Sequence, residues 1–401
     1  MNRAIRIRRN RITAMTITGA LLATLPGVSA ATPLNRQVQT LSEKVKQLEG
    51  PAGLLSGISI SGYLDPTYIF NSRQHISSFF FGDKTAPYRF YHSSFGDLFL
   101  DVTKKFSGGS TLNVQIMPNR GYGAASGSII NAAYFTVPVT GKFSVIGGQI
   151  PAWDGYEPQI STGMYTVTHN LLFDFSEPGF FTGVGGQYAS GPYTVQMLLA
   201  NTWNHAFNSS FREPTLEYRF SVAPSSSFSY GLFGTIGKIA SVNPGVGSTT
   251  RFFNDLDATY TSGPLTLSGQ LDHGYQERGA ANGRTAEWYG ASVMGNYRFM
   301  PMVGFTLRYD YLNDTKNGGH VAGSGKLADY NDGFAPNPAD PNAGPLRQAF
   351  TTALLLYPMK HVTVKLEYRH DWANFATFLD SASGNYHNSD NTVAAQFLFA
   401  F

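Results

Sequence analysis

The sequence predicts an all-β chain, a transmembrane antiparallel β-barrel of sixteen strands with a short N-terminal periplasmic helix. Three observations carry that reading. The chain ends on an amphipathic aromatic strand, it begins with an export-type leader, and its alternating segments are joined by connections of alternating length.

Arg3, Arg6, Arg8, Arg9 and Arg11 open the chain, and no acid occurs before Glu43. Residues 12–28 are uncharged and largely apolar, and Val28-Ser29-Ala30 supplies the small residues of a cleavage site. Thr13, Thr16, Thr18, Thr24 and Pro26 make the run a poor membrane helix, and it is shorter than the roughly 20 residues a span needs. Residues 1–30 are therefore expected to be a signal peptide. The formal charge of +3 includes those five arginines, so the chain without them carries about −2 and loses the basic balance that nucleic-acid binding would require. There is no cysteine, hence no lipoprotein anchor and no disulfide.

Residues 31–52 follow a helical period. Leu34, Val38, Leu41, Val45 and Leu48 recur at spacings of 4, 3, 4 and 3, with Arg36, Glu43, Lys44, Lys46 and Glu49 between them, and Gly50-Pro51 ends the run. Two heptads allow a lone amphipathic helix or a small coiled coil that helps barrels trimerise.

From residue 57 the period becomes two. Sixteen segments alternate: 57–71, 88–104, 110–117, 129–137, 142–150, 180–190, 192–202, 214–222, 227–237, 250–261, 264–276, 286–299, 303–312, 347–357, 361–372 and 391–401. The count falls to fourteen if the weak segments 129–137 and 180–190 are not strands. In 303–312, Val303, Phe305, Leu307 and Tyr309 share one face, while Thr306, Arg308 and Asp310 share the other. In 361–372, Val362, Val364, Leu366 and Tyr368 oppose Lys365, Glu367, Arg369 and Asp371. A soluble sandwich and a membrane barrel share this pattern. The connections separate them: short ones at 105–109, 138–141, 191, 223–226, 262–263, 300–302 and 358–360 alternate with mostly longer ones. Short periplasmic turns and long outer loops are the habit of outer-membrane barrels. The last segment puts Val393, Ala395, Phe397, Phe399 and Phe401 on one face. Such an edge invites aggregation unless it closes on the first strand and faces lipid. Terminal Phe401 resembles the signal read by the outer-membrane insertion machinery.

The long third outer connection, 151–179, is expected to fold into the barrel and narrow it. It holds Asp154, Glu157, Asp174 and Glu177, and no Lys or Arg occurs between Lys142 and Arg212. Carboxylates at a narrowing favour cations. Opposite them, Arg219, Arg308, Lys365 and Arg369 point into the lumen by strand parity, with Glu217, Asp255, Asp257, Asp272, Asp310, Glu367 and Asp371. The two sets would give a field across the pore, or neighbouring charges would pair. The acids could equally face outside solvent, or hold divalent ions with lipopolysaccharide. Tyr63, Tyr68, Tyr188, Tyr193, Tyr260, Tyr297, Tyr311, Tyr357 and Tyr368 are candidates for interfacial girdles. Connection 313–346, rich in Gly and Pro, reads as mobile and surface-exposed.

No Gly-x-Ser-x-Gly, His-Glu-x-x-His, phosphate loop or dinucleotide fingerprint occurs, and His169, His205, His273, His361 and His370 are scattered. An energy-coupled receptor would need a plug far larger than residues 31–56. Gly147-Gly-Gln-Ile-Pro-Ala-Trp-Asp-Gly-Tyr-Glu157, Ser176-Glu-Pro-Gly-Phe-Phe-Thr-Gly183 and Asn201-Thr-Trp-Asn204 resemble the OmpL-like β-barrel porin family over about residues 140–205. Trp153-Asp154 replaces that family's usual small residues. The resemblance implies a porin without specifying a solute. The expectation is an outer-membrane porin for passive diffusion of small hydrophilic solutes or ions, with weak cation preference and no cofactor. Its partners would be membrane lipid, lipopolysaccharide and two further copies in a homotrimer. The alternative is an outer-membrane barrel enzyme of lipase or protease type with a closed lumen.

Overall fold

A strand whose two edges are both paired leaves nothing for another chain to extend, and the staves of this sheet are in that position apart from Ile76–Phe80, which among the described residues pairs along one edge. The computed structural model describes residues 38–44, 55–82, 95–119, 128–207, 213–241, 243–317 and 333–401. It divides into two units, 1–56 and 57–401. In the first, residues 38–44 are helical, within the predicted helical seam. The leader 1–30 and the rest of 31–52 lie outside the described residues.

In the second unit, eighteen strand segments form one antiparallel sheet among the described residues. The first stave consists of β1 (Ile58–Leu64) and β2 (Thr67–Asn71), and the second of β3 (Ile76–Phe80) and β4 (Leu98–Lys105). Single strands follow: β5 (Thr111–Ile116), β6 (Ile130–Pro138), β7 (Phe143–Pro151), β8 (Phe180–Ser190), β9 (Tyr193–Ala200), β10 (Thr215–Ser225) and β11 (Phe228–Ala240). The wall continues through β12 (Ser248–Ser262), β13 (Leu265–Gln276), β14 (Ala286–Met300), β15 (Val303–Asn313), β16 (Leu346–Met359) and β17 (Val362–Ala373). A small outer hairpin, β18 (Phe378–Leu379) and β19 (Tyr386–His387), precedes the last strand β20 (Ser389–Ala400). The result is a closed barrel of sixteen staves, with 129–137 and 180–190 both forming strands.

Closure is made by β20. It pairs along β17 on one side, and on the other with β2 from Thr67↔Gln396 to Asn71↔Thr392, then with β1 at Leu64↔Phe399 and Tyr63↔Ala400. The first stave breaks at Asp65-Pro66, between β1 and β2. The predicted second strand, 88–104, is corrected. Its described strand starts at Leu98, 88–94 lie outside the described residues, and β3 occupies part of the supposed loop 72–87. After Asn71 the chain turns through His75, at φ 53°, and lays Ile76–Phe80 straight back on β2.

The opposite ends of the hairpins are tight. Gly191-Pro192 and Gly263-Pro264 are two-residue links whose glycines have φ 58° and 56°, the positive first position of a II′ turn. Strand parity then sorts the side chains. Leu256, Leu271, Val293, Leu307, Leu366, Phe397 and Phe399 are exposed on the outside, whereas Asp255, Asp272, Arg308, Lys365, Glu367 and Arg369 are buried on the inside. Tyr63 departs from the girdle set. It is 1 % exposed, and its ring stacks on Phe99 in an internal cluster with Met117 and Leu398.

The inside also holds an apolar core. Ile146, Ile150, Phe181, Leu198, Phe233, Phe253, Trp288 and Leu312 on the strands pack with Leu171, Leu172 and Phe175 of the third loop. Phe334 joins the same cluster, and Asp314, Asn317 and Ala335 are buried with it, so connection 313–346 does not lie wholly on the surface. Residues 318–332 of that connection are outside the described residues.

Candidate functional site

Loop 152–179 leaves β7 and returns into β8, and between them it lies inside the barrel. Near its start, Gly155 N–H donates to Asp255 on β12 at 3.2 Å, and Tyr156 Oη is 2.7 Å from Ser292 Oγ on β14. Gln159 and Asn131 on β6 exchange both amide hydrogen bonds, at 2.8 and 3.1 Å. A single 3₁₀ turn, Ser161–Gly163, meets the closure seam: Ser161 Oγ donates to Asp65 Oδ2 at 2.6 Å, and Gln396 donates to the same oxygen at 2.9 Å. Helix α1, Leu171–Phe175, then packs its leucines into the core and is capped by Asn170, whose Oδ1 accepts from Phe173 N–H at 2.7 Å. The loop thus touches staves on opposite sides of the ring, β6 and β15 among them.

Three of the four basic residues named from the sequence, Arg308, Lys365 and Arg369, hold it. Arg308 is fully buried and donates to Glu157 Oε1 (2.8 Å), Thr166 Oγ1 (2.9 Å) and the carbonyls of Thr168 and His169 (both 2.8 Å), with Asp310 at 3.1 Å beside it. Lys365 Nζ donates to the carbonyls of Ser161 (2.8 Å) and Thr166 (3.1 Å). Arg369 donates to His169 O (2.8 Å) and Thr168 Oγ1 (3.2 Å), and is paired with Asp371. Glu367 completes the set by accepting from Val167 N–H (2.5 Å), Thr168 N–H (3.2 Å) and Thr168 Oγ1 (2.6 Å). Guanidinium and ammonium groups here neutralise carbonyl dipoles that the loop could not satisfy by itself.

The expected acid-facing-base field is corrected at this point. Glu157 and Arg308 are in contact, because the loop rests on the basic wall itself. Burial pushes the Glu157 carboxyl up to about 7, against the pull of Arg308 and of the Asn170 N–H, while Asp310 adds to the rise. Asp174 is buried on α1, within the loop's apolar turn. Asp154 and Glu177, at the loop's two ends, sit on the other side, toward β10, β12 and β13. Burial pushes both carboxyls well above the ordinary range; Asp272 adds to the rise at each, and the two repel one another. Gln270 donates to Glu177 and to Asp272. Arg219 is paired with Asp257 and lies 3.5 Å from Asp255. Between the loop and the tight-turn half of β12–β14 is a cavity of about 170 Å³, lined by Tyr156, Glu157, Tyr165, Thr261, Thr266 and Ser268 among others.

Sequence reasoning named the charged wall but missed its polar partners. Ser161, Thr166 and Thr168 carried no signal of their own. Gln270 was recoverable, since it shares inward parity with Asp272, and Gln396 was too, since it lies opposite the aromatic face of the last strand. His169 is stacked on Phe173 at 3.9 Å, with Nε2 3.1 Å from Pro158 O.

A closed sixteen-stave barrel with a long loop docked inside it is the fold of the outer-membrane porins. Chains of known structure with that fold include OmpTdeltaL8, an outer membrane protein of Vibrio cholerae (10 % identity, TM-score 0.54, 86 % of this chain and 99 % of that one). The anion-selective porin from Comamonas acidovorans gives 14 %, 0.54, 86 % and 99 %, and Salmonella typhi OmpF gives 14 %, 0.54, 86 % and 97 %. No curated protein matches the chain. A family model described as "Protein of unknown function (DUF3138)" matches residues 15–215 and 219–401, and the chain belongs to that family.

Proposed function

We propose that the chain is an outer-membrane porin that lets small hydrophilic solutes or ions diffuse passively past loop 152–179, with a preference for cations. The observation that carries this reading is the docking of that loop across the inside of a closed barrel. It leaves the solute a narrowed polar route instead of a wide bore. The charge balance supports the cation preference. Arg308, Lys365 and Arg369 are engaged with loop carbonyls, whereas Asp154, Asp255 and Asp257 lie near Arg219, with Glu177, Glu217 and Asp272 beside them. Carboxylate excess at a constriction concentrates cations and repels anions. On this reading the resemblance to the OmpL-like porins is one of architecture. Residues 1–30 export the chain, Phe401 presents its last strand for insertion, and the barrel assembles as a trimer. A trimer form is named for one structure of Vibrio cholerae OmpT with this fold.

The test is single-channel conductance of the refolded barrel in planar bilayers, with reversal potential under a salt gradient and a hydrolase assay on the same sample. Steps with cation preference that weakens in Asp154→Asn are expected. Anion preference would move selectivity to the basic wall. A folded barrel without conductance would end the porin reading, and hydrolysis by it would favour the closed-lumen enzyme.

A further inference from the structure

Asp255 and Asp272 stand directly opposite each other in the β12–β13 ladder. Both point inward, 0 % and 4 % exposed, and like charges so placed destabilise a strand pair. The loop adds a third carboxylate, Glu177, at 3 % exposed. One carboxylate oxygen of each of the three lies within 4.8 Å of the others. Glu177 Oε2, Asp255 Oδ2 and Asp272 Oδ2 are buried without a hydrogen-bond partner, and so is Asp154 Oδ2 at the loop's other end. Arg219 does not balance them, since it also serves Asp257. The backbone makes room for the group. Gly155 has φ 61°, and a Cβ there would lie 3.0 Å from Gln270 Oε1 and 3.2 Å from Glu177 Oε2. Ionised carboxylate oxygens withdrawn from water and left without donors need a counter-cation.

The geometry points to a divalent-cation site suited to calcium, with Glu177, Asp255 and Asp272 as ligands and Asp154 beside them. The donor set is all oxygen, without histidine or cysteine, which selects hard cations. Calcium holds its oxygens at about 2.3–2.6 Å, so ligands across the ion stand up to about 5 Å apart. Magnesium, at about 2.0–2.1 Å, would require a tighter group. The ion would fasten the returning end of the loop to the β12–β13 wall, a second anchor separate from Arg308. The same carboxylates enter the cation preference proposed above, which a bound ion would offset in part, while the binding test below is read independently of conductance.

The experiment uses the refolded full barrel stripped with a chelator. Terbium titration, read by emission sensitised through Trp153, is followed by calcium competition, and equilibrium dialysis counts bound calcium. One calcium per chain is expected. Asp272→Asn and Glu177→Gln should each weaken it at least tenfold, and Glu277→Gln, an exposed acid elsewhere, should not. Calcium should also raise the urea midpoint of the wild type and leave that of Asp272→Asn unmoved. Absence of calcium uptake by the wild type would mean that the cluster shares protons instead, and the site would be refuted. Uptake that survives both substitutions would place the ion on surface acids and refute it equally. If either variant fails to fold, Asp255→Asn takes its place, and the wild-type count decides by itself.

Discussion

Arg308 is the residue on which most of the loop's docking converges. Its guanidinium serves Glu157, Asp310, Thr166 and two carbonyls, a fan of acceptors that the flat, five-donor group can reach and an ammonium cannot. Arg308→Leu strands two buried carboxylates and should cost about 3–5 kcal/mol, the usual penalty for removing one partner of a buried pair. Arg308→Lys should recover only part of it. Urea unfolding of the refolded barrel measures both, and an Arg308→Leu midpoint equal to wild type would show that the network adds nothing. Glu157 adds a pH dependence with a definite sign. Its folded value of about 7 stands above the ordinary 4.5, so the folded barrel keeps a proton that the unfolded chain releases. Stability should therefore fall as pH rises from about 4.5 to 7 and level off above that. Glu157→Gln should flatten that slope. A urea midpoint that climbs across that window would contradict the assignment.

At the scale of elements, loop 152–179 behaves as part of the wall and not as a surface connection. The N–H groups of Val167, Thr168, Asn170 and Phe173 all donate to side-chain acceptors in buried positions. Hydrogen exchange should accordingly protect residues 160–178 about as well as β13 or β15, while the described turn around 277–285 exchanges quickly. Fast exchange of the loop in a folded barrel would mean that it swings free. The strands were legible because a membrane barrel repeats one instruction: Leu307 and Leu366 outward, Arg308 and Lys365 inward, at every second residue. The short-long parity of the connections favoured sixteen for the same reason, with fourteen left open by the weak segments 129–137 and 180–190. β3 was not legible, since Ile76–Phe80 mixes serines and phenylalanines after a four-residue turn and carries no clean alternation. Tyr63 was misplaced because an aromatic residue in a strand reads alike whether it meets lipid or an internal cluster. The partners within the site escaped for a different reason. Glu157 and Arg308 are 151 residues apart, and only closure of the ring and re-entry of the loop bring them together.

For the whole molecule, the question is whether closure of the barrel and occupation of its inside are separable. The ladder from β1 to β20 closes through backbone hydrogen bonds that do not involve the loop, whereas the loop is held by side chains of β12–β15, β17 and β20. Removing the anchors should thus free the loop and leave the barrel standing. In the combined variant Arg308→Ser, Lys365→Ser and Arg369→Ser, three buried cations are lost along with their hydrogen bonds to loop carbonyls. The apolar packing of Leu171, Leu172 and Phe175 remains, with the Val167 and Thr168 hydrogen bonds to Glu367 and the Gln159–Asn131 pair, but the cationic anchors of the loop carbonyls are gone. Far-ultraviolet circular dichroism should keep its strand signal, the loop's exchange protection should fall, and single-channel conductance should rise severalfold as the passage widens. Cation preference should sharpen at the same time, because the charges removed are all basic. An intact barrel whose conductance does not change would show that the passage is limited elsewhere, with the apolar cluster around Trp203, Phe253 and Trp288 as the next place to look. Loss of the strand signal would instead show that the loop is part of what closes the ring, and that this barrel is built around its contents.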